Sequence, residues 1–221
     1  MPCAGATARA TTLTTGGAGL PIISAERRQG RYDAILDAAR TAFAERSYEA
    51  VSIAQIARAA GISDGLVYHY FRDKRDLLFH VLRTFYERIM VDLETKVRRE
   101  TTFEARLEAL IRSHLEVFVA DTDLCRLFIS EVRVASDYRG SRIQELNRAY
   151  TSILIDMFDE AVRGGKVSAV VSPRLLRDVI FGAIEHRAWR YVNGSNALDT
   201  AATARELTAL FTQGLTPRPA H

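Results

Sequence analysis

An all-α fold of about nine helices is predicted by three observations. Apolar residues recur at spacings of three and four from Arg27 almost to the C-terminus. The breaks between these stripes carry helix starts at Ser52, Ser63, Asp73 and Pro173, and helix stops at Gly61 and Gly164-Gly165. No segment alternates apolar and polar residues convincingly or carries a hairpin signal, and no internal repeat is visible.

Residues 1–25, rich in Ala, Thr and Gly without a sustained apolar period, are expected to form a disordered tail. Within it "GGAGLPIIS" lacks the Gly-Lys-Ser/Thr ending of a phosphate loop and reads as linker. Tyr32, Ile35, Leu36, Ala39 and Phe43 predict a first helix ending near Ser47. A second helix starts at Ser52, with Gln55 completing a capping box, and stops at Gly61. The third runs from Ser63 as N-cap to about Phe71. Asp73 caps a long fourth helix, whose stripe runs from Leu77 through Leu82 and Ile89 to Val97.

Behind it, stripes from Phe103 to Phe118 and from Leu124 to Val132 predict two further helices. Another spans Ile143 to Phe158 and stops at the glycine pair. Pro173 opens a helix reaching Val192, and a last one covers about Leu198 to Gln213. The predicted organisation is thus a tail at 1–25, a three-helix unit at 26–73, a helical domain at 74–215 and a frayed end at 216–221.

The 221 residues are 48% hydrophobic and 26% charged, an ordinary globular balance, and a net charge of +3 is too small to establish a nucleic-acid partner by itself. With Cys3 in the expected tail and Cys125 inside an apolar helical pattern, no disulfide framework is expected. No apolar run approaches the roughly 18 residues of a membrane span, and the start lacks a signal-peptide pattern, so a cytoplasmic protein without membrane contact is expected.

Three helices with a tight Gly-Ile-Ser turn between the second and third make a helix-turn-helix, whose later helix enters the DNA major groove. Val67 and Phe71, four apart, face the core, which leaves Gly65, Leu66, Tyr68 and His69 outward. Tyrosine and histidine can bond phosphates, Gly65 permits close backbone approach and Leu66 can touch a thymine methyl. The stretch "SIAQIARAAGISDGLVYHYFRDKRDLL", with Phe43 before it, resembles the DNA-binding domain of the tetracycline-repressor (TetR) family over about Arg31 to Leu82.

That resemblance implies an all-helical homodimer on operator DNA, with the later helices binding a small-molecule effector and two helices per subunit forming the dimer seam. It implies phosphate contacts at Ser52 and Lys74, groove-facing positions at Ser63, Gly65, Leu66, Tyr68 and His69, and a backbone contact at Tyr70. Asp64 departs from the family pattern: phosphate would repel it, but a cytosine amino group could donate to it. Tyr68 and Tyr70 could instead merely pack the three-helix core, and Lys74 could be a solvated lysine.

In the later helices His114, Cys125, Tyr150, Glu185, His186, Arg187 and Trp189 stand as polar groups among apolar ones. No two histidines have the spacing of metal ligands on one helix face, and no catalytic motif is recognisable, so neither a metal, a cofactor nor an enzyme activity is expected. Residues Leu124 to Val192 resemble the C-terminal half of the TetR-family regulators of fatty-acid degradation, which sense acyl-CoA. The resemblance implies an acyl chain held among Phe85, Ile89, His114, Phe118, Phe128, Tyr150, Leu154 and Phe158. Its CoA phosphates would meet arginines drawn from Arg106, Arg133, Arg139 and Arg142.

Leu176, Val179, Ile180, Ala183 and Ile184, with Leu207, Leu210 and Phe211, are the expected four-helix dimer seam. The function expected is a ligand-released repressor on a palindromic operator. The alternatives are a ligand-independent DNA-organising protein of the same fold and an all-helical acyl-binding protein or enzyme.

Overall fold

The structure, a computed structural model, describes residues 20–168, 171–194 and 197–215. Among them stand nine α-helices, one π-helical turn and no strand. The first helix, α1 (Leu20–Glu45), begins inside the segment expected as tail, so Leu20 to Ala25 are helical. The rest of that segment and the expected frayed end lie outside the described residues.

Helix α2 (Ile53–Ala59) starts on a complete capping box: Gln55 N donates to Ser52 Oγ at 3.2 Å while Ser52 N donates to Gln55 Oε1 at 2.9 Å. Gly61 makes the turn at φ 69°, a left-handed backbone that glycine adopts without a Cβ penalty. Helix α3 (Asp64–Tyr70) follows with Ser63 in the N-cap position, but the Ser63 side chain makes no capping bond. Ile35, Ala39, Phe43, Ile56, Val67 and Phe71 close the core of this three-helix unit.

Helix α4 (Lys74–Arg98) is capped by Asp73, which accepts from Asp76 N at 2.7 Å, and carries the chain out of the front unit. Helix α5 (Phe103–Ala120) is the hub of the rear domain, packing against α4 and four later helices. The predicted helix over Leu124 to Val132 is instead α6 (Thr122–Leu127) followed by a π-helical turn at Phe128–Val132.

Helix α7 (Arg142–Arg163) starts on Ser141 and ends at the glycine pair, with Gly165 at φ 66°. Helix α8 (Pro173–Val192) starts on Ser172 with Pro173 in the first turn, where a missing N–H leaves no bond unmade. Helix α9 (Thr200–Leu215) begins two residues later than expected because Asp199 takes the capping role, accepting from Ala202 N at 2.8 Å. No helix among the described residues is long and apolar enough to cross a membrane.

The expected dimer seam needs correction. Leu176, Ile180 and Ile184 are buried in the core of their own chain, and Ala183, Leu207 and Phe211 are half-buried. Val179 and Leu210 do reach solvent. Helix α8 is apolar on two faces, and its open face carries Leu175, Val179, Gly182, His186 and Trp189, spaced by four and three.

Candidate DNA-reading face and ligand cavity

On α3, Val67 points inward and Tyr68 is 55% exposed, so Tyr68 is no part of the three-helix core. Ser63, Asp64, Gly65 and His69 are exposed beside it, Leu66 is half-buried, and Ser52 is exposed at the start of α2. These positions share the outer side of the two short helices. Tyr70 behaves differently: its ring lies 6.3 Å from that of Tyr32, and its hydroxyl donates to Arg28 O at 3.3 Å, which ties α3 to α1.

Lys74 also turns inward. Its Nζ donates to Tyr48 O at 2.9 Å and Val51 O at 3.1 Å and stands 4.3 Å from the Tyr48 ring centre. It therefore holds the loop between α1 and α2 against the start of α4, with the ammonium directed at carbonyls.

In the rear domain an apolar cavity lies between α4, α5, α7 and the π-helical turn. Six expected residues line it: Phe85, Ile89, His114, Phe118, Phe128 and Tyr150. Leu154 and Phe158 do not; both are closed into the core, Phe158 with its ring 6.4 Å from that of Phe103. Tyr86, Cys125, Asn147 and Glu185 also face it. Asn147 had a readable signal, being a lone amide on the same helical face as Tyr150 and Leu154. The room open to the centre of a water molecule is about 40 Å³, enough for only a few waters.

Burial keeps four polar groups of this wall neutral. It pushes the His114 imidazole down to about 3 and the Cys125 thiol up to about 12, and it raises the Tyr86 and Tyr150 phenols above their ordinary range. At neutral pH the imidazole, thiol and phenols are therefore uncharged, an environment suited to an aliphatic chain. His114 Nδ1 and Tyr150 Oη are 2.8 Å apart, while His114 Nε2 is buried without a partner. An unpaired buried group of this kind costs about 1–3 kcal/mol.

Through His114, Asn147 and Glu185 the cavity shares a wall with a wider polar cleft of about 360 Å³ on the side of α7 and α8. Arg133, Arg148 and Arg177 line the cleft. Of the four arginines expected to meet phosphates, only Arg133 is there, donating from Nη1 to both carboxylate oxygens of Glu185 at 2.8 Å. Arg106 pairs instead with Glu160 at 2.7 Å. Arg142 lies over the Phe79 ring and 3.5 Å from Asp76, and Arg139 is exposed.

Two linkages join the cavity wall to the front unit. Asp121, with a side chain 3% exposed, sits between the cavity residues Phe118 and Cys125 and is clasped by Arg40 of α1 and Arg88 of α4. In the π-helical turn Phe128 and Ile129 face the cavity, while Glu131 accepts from Tyr48 N at 2.7 Å.

Residues 35–81 match the family described as bacterial regulatory proteins, tetR family, and residues 100–215 match the tetracyclin repressor-like C-terminal domain. The chain belongs to the TetR family. Regulators of this type bind operator DNA and small-molecule effectors; this TetR protein is accordingly a transcriptional regulator and not an enzyme.

The chain is 25% identical over 190 residues to the fatty acid metabolism regulator protein of Bacillus subtilis, covering 86% of this chain and 98% of that one. It is 29% identical over 180 residues to the transcriptional repressor KstR2 of Rhodococcus jostii, covering 79% and 87%. Among solved structures it resembles the regulator FadR of Bacillus subtilis in complex with stearoyl-CoA, with a TM-score of 0.75 at 27% identity over 83% of this chain and 98% of that one. The fatty acid degradation regulator FadR of Bacillus halodurans gives 0.74 at 28% identity, covering 83% and 99%.

Proposed function

We propose that this TetR protein is a homodimeric repressor released from a palindromic operator by a long-chain acyl-CoA. The observation that carries the reading is the largely apolar cavity sharing a wall with a cleft that holds three arginines. An acyl chain gains about 0.8 kcal/mol for each methylene it buries, and phosphates pair with guanidinium groups. The relatives in fatty-acid metabolism, one of them solved with stearoyl-CoA, support the same ligand class.

The narrowness of the cavity bears on how release works. A chain of sixteen carbons needs far more room than a few waters, so α4, α5 and the π-helical turn must separate to admit it. Asp121 and Glu131 ride on those walls, and their partners are Arg40 and Tyr48 of the front unit. Ligand binding therefore selects an arrangement in which those partners are shifted or released. The outer side of α2 and α3, with Ser52, Ser63, Asp64, Gly65, Leu66, Tyr68 and His69, is the proposed reading face. The open stripe of α8, with Leu210 of α9, is the proposed dimer seam, and Lys74 and Tyr70 brace the reading head from within.

The test is a two-sided titration. Acyl-CoAs of increasing chain length are added to free protein and to protein on operator DNA selected from a random pool. Linkage requires that the factor by which a ligand weakens DNA binding equal the factor by which DNA weakens ligand binding. A ligand that binds both forms equally is no inducer, and failure of every acyl-CoA to bind sinks the ligand assignment while leaving the regulator standing.

A further inference from the structure

Among the polar side chains of the cavity wall, most are engaged with one another. Tyr86 Oη donates to Asn147 Oδ1 at 3.2 Å, Asn147 Nδ2 donates to Tyr138 Oη at 3.2 Å, and Glu185 is held by Arg133. Among the described residues His114 Nε2 is the one buried side-chain nitrogen or oxygen lining the cavity that meets no partner. The ring is fixed in place: Phe118 and Phe181 stand nearly perpendicular to it, with centroids at 5.3 and 5.0 Å.

Which hydrogen the free nitrogen carries follows from its neighbour. A phenol is the stronger donor and an imidazole nitrogen the stronger acceptor, so Tyr150 Oη–H donates to His114 Nδ1 across their 2.8 Å contact. The proton of the neutral ring then sits on Nε2. The aromatic faces around it offer no more than a weak N–H···π contact. His114 also borders both the apolar cavity and the arginine-lined cleft.

That border is where the aliphatic part of an acyl-CoA ends and its polar part begins. Resting on the acyl-CoA reading above, we infer that His114 is the specificity-determining residue for the thioester: its Nε2–H donates to the carbonyl oxygen of the bound ligand. Tyr150 is a positioning residue, holding the tautomer that makes the donor available. The protein thereby distinguishes an activated acyl group from any other greasy chain on the same nucleotide head.

The experiment compares palmitoyl-CoA with S-hexadecyl-CoA, which carries a methylene in place of the carbonyl, by calorimetric titration of the full chain. The unaltered protein is expected to bind the thioester about tenfold tighter. His114→Phe should bring the ratio close to one by weakening only the thioester, and His114→Gln, which keeps a donor, should retain part of the preference. The carbonyl stretch of ¹³C-labelled thioester should lie lower in the complex with the unaltered protein than in that with His114→Phe.

Equal binding of the two ligands by the unaltered protein overturns this inference alone, and it needs no variant to fold. It is also the result expected if Nε2 merely holds a water. A thioester preference undiminished in His114→Phe overturns it as well. If neither ligand binds, the acyl-CoA reading falls together with the inference.

Discussion

Replacing Asp121 by Asn tests the linkage between the cavity and the reading head. The substitution keeps the shape of the side chain and removes the charge that Arg40 and Arg88 share. Two hydrogen bonds to a charged acceptor contribute about 1.5–3 kcal/mol each when fully enclosed. Here the carboxylate is buried, but the arginine side chains are 51% and 56% exposed, and on loss of their partner they regain water. A net loss of about 2 kcal/mol follows, equivalent to roughly 4–8 °C in Tm for a protein of this size.

Thermal melts of Asp121→Asn, Arg40→Ala and the double variant supply the coupling, because the two members of one ion pair lose less together than the sum of their single losses. In the same proteins the factor by which acyl-CoA weakens operator binding should shrink toward one, since the cavity wall no longer pulls on α1. A Tm within about a degree of the parent, with additive losses and an unchanged linkage factor, would refute the clasp as a transmitter. A lowered Tm with an intact linkage factor would reduce it to a stabilising contact.

Changing Leu66 or His69 should alter the preferred operator by about 1–3 kcal/mol per contacted base pair, read by selection from a random DNA pool; if both variants return the parent sequence, the reading positions lie elsewhere on α3. Val179→Arg with Leu210→Arg should yield a folded monomer in sedimentation, whereas Ile180→Arg should unfold the chain, and a persisting dimer in the former removes the open stripe from the interface. The depressed His114 pKa makes stability fall on acidification: it is fully retained above the unfolded value near 6.5 and is lost as pH drops toward about 3, where the folded state first takes up the proton. The slope is at most about 1.4 kcal/mol per pH unit, and His114→Phe should flatten denaturant midpoints between pH 6 and 4 relative to the parent; parallel profiles would contradict the buried neutral ring.

Helix starts were legible in the sequence wherever they depend on neighbours. Ser52 with Gln55, and Asp73 with Asp76, are local bargains between a side chain and nearby backbone, and both formed as expected. The π-helical turn at Phe128–Val132 was not legible, because its one extra residue leaves the apolar stripe from Leu124 to Val132 unbroken. Nor did periodicity decide which apolar face of α8 turns inward. Leu176, Ile180 and Ile184 form as regular a stripe as Leu175, Val179, His186 and Trp189, and only packing against α5 and α7 chooses between them.

Six of the eight side chains expected to line the cavity do so, since aromatic and aliphatic residues on facing helices converge on a common centre. The arginines were harder to place, because a long flexible stem lets the guanidinium find a carboxylate well away from its Cα, as Arg106 does with Glu160.

Helix α4 is a single rod of 25 residues, about 37 Å long, with Lys74 at one end and the cavity residues Phe85 and Ile89 near its middle. From Lys74 to Phe85 the lever arm is about 16 Å, so a tilt of about 5° pivoting at the cavity sweeps the reading end through about 1.4 Å. In the proposed dimer, two such arms swinging in opposite senses would change the separation of the two heads by nearly 3 Å, against a groove spacing of about 34 Å fixed by the duplex. Hydrogen bonds to base edges tolerate only a few tenths of an ångström. On the proposed reading, a tilt of this size is therefore enough to take both heads of the dimer out of register with DNA.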